Sequence, residues 1–78
     1  MKVYVVCEGI TDYSKSENSI PEAFTPQRIF LNETDACIRL EAQAIWSFGG
    51  NRKCESPWLY YDADNPRHKL FIKEYNAM

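Results

Sequence analysis

The sequence has few of the residues on which specialised small proteins depend. Its three cysteines, Cys7, Cys37 and Cys54, are odd in number and form no C-x-x-C pair, which argues against a disulfide framework and a zinc knuckle. Three glycines and four prolines argue against collagen-like and low-complexity chains. The apolar run at the start ends at Glu8, too soon for a signal peptide or for the roughly 20 residues of a spanning helix. We therefore expect a cytoplasmic protein.

The charge is close to balanced, with a net value of −2 at pH 7. That value is too small to indicate a basic surface that binds nucleic acid, or a strongly acidic protein that mimics nucleic acid. The composition, 45% apolar and 14% aromatic, is typical of a folded domain. Residues 1–78 are too few for a second core, so we expect a single domain.

Alternation and turn residues predict four strands. Lys2–Cys7 is rich in β-branched and aromatic residues, and Arg28–Leu31 is a short apolar segment after a polar loop. Pro57–Asp62 and His68–Tyr75 are separated by turn-forming residues and predict a hairpin. The polar stretch Asn51–Glu55 is predicted to be a connecting segment.

One amphipathic helix is predicted between the two pairs of strands. Asn32 is a good cap, and acidic residues follow it in the first turn. Apolar residues then recur at steps of three and four, and Gly49-Gly50 ends the helix. The apolar face is formed by Cys37, Leu40, Ala44 and Phe48, with Ile45 beside them. The prediction is an α+β domain of order ββαββ, an antiparallel or mixed sheet of three to four strands with the helix on one face.

The five-residue turn of the hairpin predicts its register and its two faces. Tyr60 should lie opposite Leu70, Leu59 opposite Phe71, and Tyr61 opposite Lys69. Trp58 should likewise face Ile72, and Asp62 should face His68. The purer apolar face, with Trp58, Tyr60, Leu70 and Ile72, is assigned to the core beneath the helix. The other face then presents aromatic and basic side chains to solvent: Tyr61, Lys69, Phe71, Lys73 and Tyr75.

The sequence patterns for catalysis and metal binding are incomplete. Asp62 to Asn65 resembles part of a calcium loop, but Arg67 and Lys73 occupy the positions of its glycine and its bidentate glutamate. A zinc site from the three cysteines and His68 would lack paired spacing. His68, the one histidine, could serve in catalysis with a cysteine, yet a polar pair with Asp62 explains it more simply. We expect no catalytic residues, no metal and no cofactor.

The order of segments resembles that of small accessory proteins encoded by phages and mobile elements, some of which inhibit host defence systems. The resemblance lies in the opening Met1–Val6, the strand-to-helix step Arg28–Ala36 and the closing Lys69–Tyr75. It implies a protein that binds a larger host protein and performs no chemistry.

Function is therefore expected to reside in a binding surface. Aromatic side chains on a sheet are frequent anchors of protein interfaces, and aromatics alternating with lysines can also bind single-stranded nucleic acid. A protein partner is the first expectation, a nucleic acid the alternative, and a homodimer through an edge strand such as Lys2–Cys7 is also open. The expected contacts are the outward hairpin face and an acidic group formed by Glu8, Asp12, Glu17 and Glu22.

Overall fold

A computed structural model describes residues 1–77 and confirms the α+β class. These residues form five strands and one helix, and a short 3₁₀ turn follows the helix. None of the helical segments in residues 1–77 combines the length and the apolar character that a membrane-spanning helix requires. The elements are β1 (Lys2–Ile10), β2 (Phe24–Phe30), α1 (Glu33–Phe48), β3 (Arg52–Ser56), β4 (Leu59–Asp62) and β5 (Asn65–Asn76).

The sheet is fully antiparallel, with the strand order β2-β1-β5-β4-β3. The expected count of three to four strands was therefore too low, because Asn51–Glu55 is largely strand β3 and not a connector. An outer strand exposed on both faces needs no apolar residues, so its composition gave no signal. Lys2–Cys7 was expected as a possible edge, but β1 lies between β2 and β5 and has no free edge.

The predicted hairpin register is confirmed at its three central pairs. Tyr60 pairs with Leu70, and the neighbouring pairs Leu59–Phe71 and Tyr61–Lys69 follow in step. The end of the hairpin differs, because the register shifts after Tyr61 and Asp62 pairs with Asn65 instead of His68. The turn is then reduced to Ala63 and Asp64.

The helix begins and ends where its capping residues predict. The Asn32 side chain accepts hydrogen bonds from the backbone N–H groups of Thr34 and Asp35, at 2.8 and 3.3 Å. Gly49 closes the helix with φ of 56°, a conformation that disfavours residues with a Cβ. The buried positions recur every four residues. Of the other residues predicted on the apolar face, Cys37 is half-buried and Ile45 is exposed. The fully buried positions are Ala36, Leu40, Ala44 and Phe48.

The sheet buries side chains on both of its faces. Beneath the helix, the four buried helical residues pack on a cluster from three strands: Val6, Tyr60, Leu70 and Ile72. Trp58 packs against this cluster, as predicted. The opposite face, which we call the outer face, carries a second cluster: Val5, Cys7, Leu59 and Phe71, with Phe24 packed on it.

A loop of residues 11–23 lies against the outer face. Thr11 and Pro21 are buried, and the Thr11 hydroxyl donates to the Ser19 carbonyl at 2.6 Å. Gly9 lets the loop approach β1, since a Cβ at this position would lie 2.7 Å from the Ala23 carbonyl oxygen and 2.9 Å from the Pro21 Cβ. The loop thus lies against the end of the outer face at Gly9, while Phe24 of β2 packs on the apolar cluster of that face.

Truncation of Phe71 tests the second cluster. Phe71 is 2% exposed and Tyr75, on the same strand and face, is 44% exposed. We expect Phe71→Ala to lower the free energy of unfolding by about 3–5 kcal/mol, because a buried phenyl ring is replaced by a cavity. Tyr75→Ala should cost less than about 1 kcal/mol. Urea denaturation measures both, with Phe71→Leu as a milder variant; equal costs for Phe71→Ala and Tyr75→Ala would contradict the burial.

Candidate functional site

The five residues predicted to form an exposed contact row do lie on one face of the sheet, opposite the helix. Two of them are not accessible. Phe71 lies under the Phe24 ring, edge to face at 5.5 Å, and Lys69 is 2% exposed. The expectation that both face solvent was wrong, because the alternation along β5 specifies only a face. It does not reveal that Phe24 of the distant strand β2 packs on Phe71, or that a loop carbonyl accepts a hydrogen bond from Lys69.

Lys69 fixes that loop to the strand. Its ammonium donates to the backbone carbonyls of Glu17 in the loop and Pro66 in β5. Burial lowers the pKa of Lys69, although the carboxylates of Glu55 and Glu17 oppose the shift. A small cavity of about 150 Å³ adjoins the amine, with Tyr61 among its walls. The amine therefore stabilises the fold by joining the loop to β5.

The other members of the row are divided between packing and solvent. The Lys73 ammonium lies 5.0 Å from the centre of the Phe24 ring, and Lys73 and Tyr61 are half-buried. Tyr75 is exposed at the end of β5. The outer face thus presents isolated groups and not a continuous aromatic surface.

The four predicted acidic contacts do not form one patch either. Glu8 is on β1, whereas the other three are exposed in the loop. Glu22 forms an ion pair with Lys15 at 3.0 Å. The backbone N–H of Ser14 donates to the Asp12 carboxylate at 2.8 Å, and this bond lowers the pKa of Asp12. The members of the set are Glu8, Asp12, Glu17 and Glu22.

His68 has a different partner from the one predicted. Its Nε2 lies 2.6 Å from a carboxylate oxygen of Glu8, and Gln27 donates to the other oxygen of that carboxylate at 3.1 Å. The Phe48 ring packs edge to face against the imidazole at 5.0 Å. The predicted pairing with Asp62 was wrong because of the register shift at the end of the hairpin. Residues 60 positions apart in sequence meet here through the β1–β5 pairing.

In the Glu8–His68 pair the carboxylate could orient the imidazole as a general base. Catalysis would also need a nucleophile or a substrate site. An open pocket beside the pair is also lined by Gly9, Ile10, Ala23, Phe24 and Thr25. Cys54 is on the outer strand β3, where its thiol donates to the Ser56 carbonyl of the same strand. Within residues 1–77 no group of three or more His, Cys, Asp or Glu side chains is placed to hold a metal ion.

The most conspicuous exposed surface is on the helix. Trp46 is 86% exposed, Ile38 64% and Ile45 48%, and Ala42 between them is also exposed. These positions recur at steps of three and four, so they share the side of α1 that faces away from the sheet. We call these four residues, Ile38, Ala42, Ile45 and Trp46, the helix patch.

A groove separates the helix patch from strand β2. It has a volume of about 370 Å³, and a second depression of about 350 Å³ shares Arg39 and Ala42 with it and extends to Trp46. Ile29 of β2 is 65% exposed, and its side chain is on the outer face because its partner Val5 belongs to the outer cluster. Leu31, just after β2, is 70% exposed. The groove is lined by Arg28, Phe30, Asp35, Ile38, Arg39 and Ala42.

Comparison of the chain with protein-family models, with curated protein sequences and with solved structures finds no match.

Sequence reasoning missed the helix patch, although a signal was present. A helix that buries one side needs a single apolar stripe, and α1 has apolar residues outside that stripe at Ile38 and Trp46. These additional apolar residues indicate that α1 has a second apolar side. The Glu8–His68 pair had no comparable signal, because its two residues are joined only by strand pairing.

The buried amine of Lys69 predicts a pH effect on stability. Since its pKa in the folded protein is below its ordinary value, the folded state binds the proton less well than the unfolded chain. The contribution of Lys69 to the free energy of unfolding should therefore rise as the pH approaches about 10.4. Wild type should gain stability relative to Lys69→Met between about pH 7 and pH 9.5.

Urea denaturation at the two pH values measures that difference. Titration of Cys7, whose thiol pKa is raised by burial, and of Tyr60, whose pKa is raised to about 12, is common to both proteins and cancels. A difference that stays constant or falls with rising pH would contradict the assignment.

Proposed function

We propose that the chain is a non-enzymatic binding module that occludes or modulates a partner protein through the helix patch. The observation that supports this most directly is Trp46, which is 86% exposed on a regular helix among further exposed apolar residues. Contiguous exposed apolar patches on small domains usually mark interaction sites. Tryptophan is also enriched among the residues that contribute most to protein interfaces.

The energetics of the helix patch fit an interface. Full burial of an exposed isoleucine contributes roughly 1.5–3 kcal/mol. A partner that covers Ile38 and Ile45 would gain part of this from each, because they are 64% and 48% exposed in the free chain. Trp46 adds an aromatic surface on the order of 200 Å². α1 is a regular helix packed on the sheet, so little conformational entropy is lost when a partner binds its other side.

A protein partner is favoured over the single-stranded nucleic acid considered from sequence. The predicted nucleic-acid site was the outer face, but Phe71 and Lys69 are buried there and cannot stack on bases or contact phosphates. The helix patch offers one large aromatic ring among aliphatic side chains, a composition typical of protein interfaces. The resemblance to small phage accessory proteins and the three free thiols support a cytoplasmic protein that inhibits a host partner.

The proposal predicts that exposed helix residues matter for binding and not for folding. In quantitative affinity capture from a lysate of the source cells, wild type should recover a protein in stoichiometric amount. Trp46→Ser and Ile38→Ser should each reduce its recovery more than about tenfold, because truncating a central interface anchor typically costs 2 kcal/mol or more. Both variants should unfold within about 0.5 kcal/mol of wild type in urea.

Tyr13→Ser is the matched control. Tyr13 is 78% exposed on the loop, where Arg67 lies 4.8 Å from the centre of its ring. Its replacement should leave recovery unchanged. If no stoichiometric protein is recovered, or if all three variants recover it as wild type does, the helix patch is not the binding surface.

A further inference from the structure

The two outer strands of the sheet differ in how they are protected against pairing with another chain. β3 carries three charged residues, Arg52, Lys53 and Glu55, which are typical of an edge that avoids strand addition. β2 has Pro26 and a register irregularity in its first half only. Its second half and the residue after it are Arg28-Ile29-Phe30-Leu31. This half is the less protected edge.

The hydrogen-bonding pattern shows which backbone groups of β2 face outward. The N–H of Thr11 donates to the Arg67 carbonyl, and that of Ala77 donates to the Met1 carbonyl, so the odd-numbered residues of β1 bond to β5. The even-numbered residues of β1 are therefore the ones that bond to β2.

Tyr4 and Val6 are such even-numbered residues, and their partners in β2 are Phe30 and Arg28. The backbone groups of Phe30 and Arg28 therefore point inward, and those of Ile29 between them point outward. Pro26 has an odd-numbered partner, Cys7, and so also faces outward, where a missing N–H is tolerated. The N–H and C=O of Ile29 are available to an added strand.

The groove described above lies where the side chains of such a strand would enter. Arg28 pairs with Val6, a core residue beneath the helix, and its side chain is on that face of the sheet. The helix contributes Ile38 and Arg39 from the opposite wall. An added strand beside β2 would place every second side chain in this space.

The charge in the groove favours an acidic ligand. Two arginines, Arg28 and Arg39, line it with a single carboxylate, Asp35. The nearby acids Glu33 and Glu41 are held on the other flank of the helix, where they accept hydrogen bonds from the Trp58 indole and the Tyr60 hydroxyl. Within residues 1–77, the ion pairs closer than 4.0 Å include neither arginine.

We infer that β2 and this groove bind an extended acidic segment of the partner protein as a sixth strand. One face of the segment places an apolar side chain against Phe30 and Ile38, and a carboxylate two residues away meets Arg28 and Arg39. Main-chain bonds to Ile29 supply the pairing. The inference rests on the proposed function, since it states which chemistry of the partner lies next to the helix patch.

The probe is a fluorescent synthetic peptide with two repeats of Thr-Val-Thr-Glu, in which valine and glutamate share one face. The matched peptide has lysine in place of glutamate. Fluorescence anisotropy with the full chain should show the glutamate peptide binding at least tenfold more tightly, with affinity that falls as salt is added. The double variant Arg28→Glu/Arg39→Glu should reverse the preference. Lys53→Glu on β3 should leave it unchanged.

Hydrogen exchange supplies a readout that does not require a variant. The glutamate peptide should slow exchange of the Ile29 amide and leave that of Lys53 on β3 unchanged. Ile29→Pro, which removes the outward N–H, should weaken binding at least tenfold, and Ile29→Ala should weaken it less. No binding of the glutamate peptide, or equal binding of both peptides, would overturn the inference.

Other occupants of the edge give different results. A dimer of the chain that Ile29→Pro abolishes in sedimentation velocity would make a second copy the occupant and overturn the inference. So would tight binding of a single-stranded oligonucleotide that the double arginine variant abolishes. If the captured partner is lost with Trp46→Ser but retained with Ile29→Pro and the double arginine variant, strand addition is wrong and the proposed function stands.

Discussion

The structure depends on one constraint: a five-stranded sheet has two faces to bury, and residues 1–77 supply one helix. Phe24 of β2 packs on the apolar cluster of the outer face, and the loop of residues 11–23 lies against the end of that face near Gly9 and Lys69. Lys69 makes this arrangement possible, because its ammonium joins the loop to β5 through two carbonyls. A charged group is thus kept in the interior where an apolar side chain could not satisfy those carbonyls.

That solution decides which surfaces are open to a partner. The outer face, which alternation alone would present to solvent, is occupied by the protein's own chain. The helix buries one side against the sheet, and its opposite side is also apolar, with Trp46 as its most exposed residue. Edge strand β3 carries three charged residues and the second half of β2 carries only Arg28, so the β2 side of the sheet is the one suited to contact with a partner.

Local chemistry made part of the fold predictable. The helix bounds followed from Asn32 and Gly49, whose effects act within a few residues, and the central hairpin register followed from a short connection. Strand β3 was not predictable, since tertiary pairing overrides its polar composition. The burial of Phe71 and the Glu8–His68 contact depend on segments far apart in sequence, and no local pattern encodes them.

The contact at Gly9 links two segments that could otherwise vary independently. The loop returns so near to β1 that the backbone of Ala23 and the ring of Pro21 occupy the space of any side chain at position 9. Insertions and deletions are usually tolerated in surface loops. Here a change of loop length would have to preserve the path over position 9, so this loop should vary in sequence far more readily than in length.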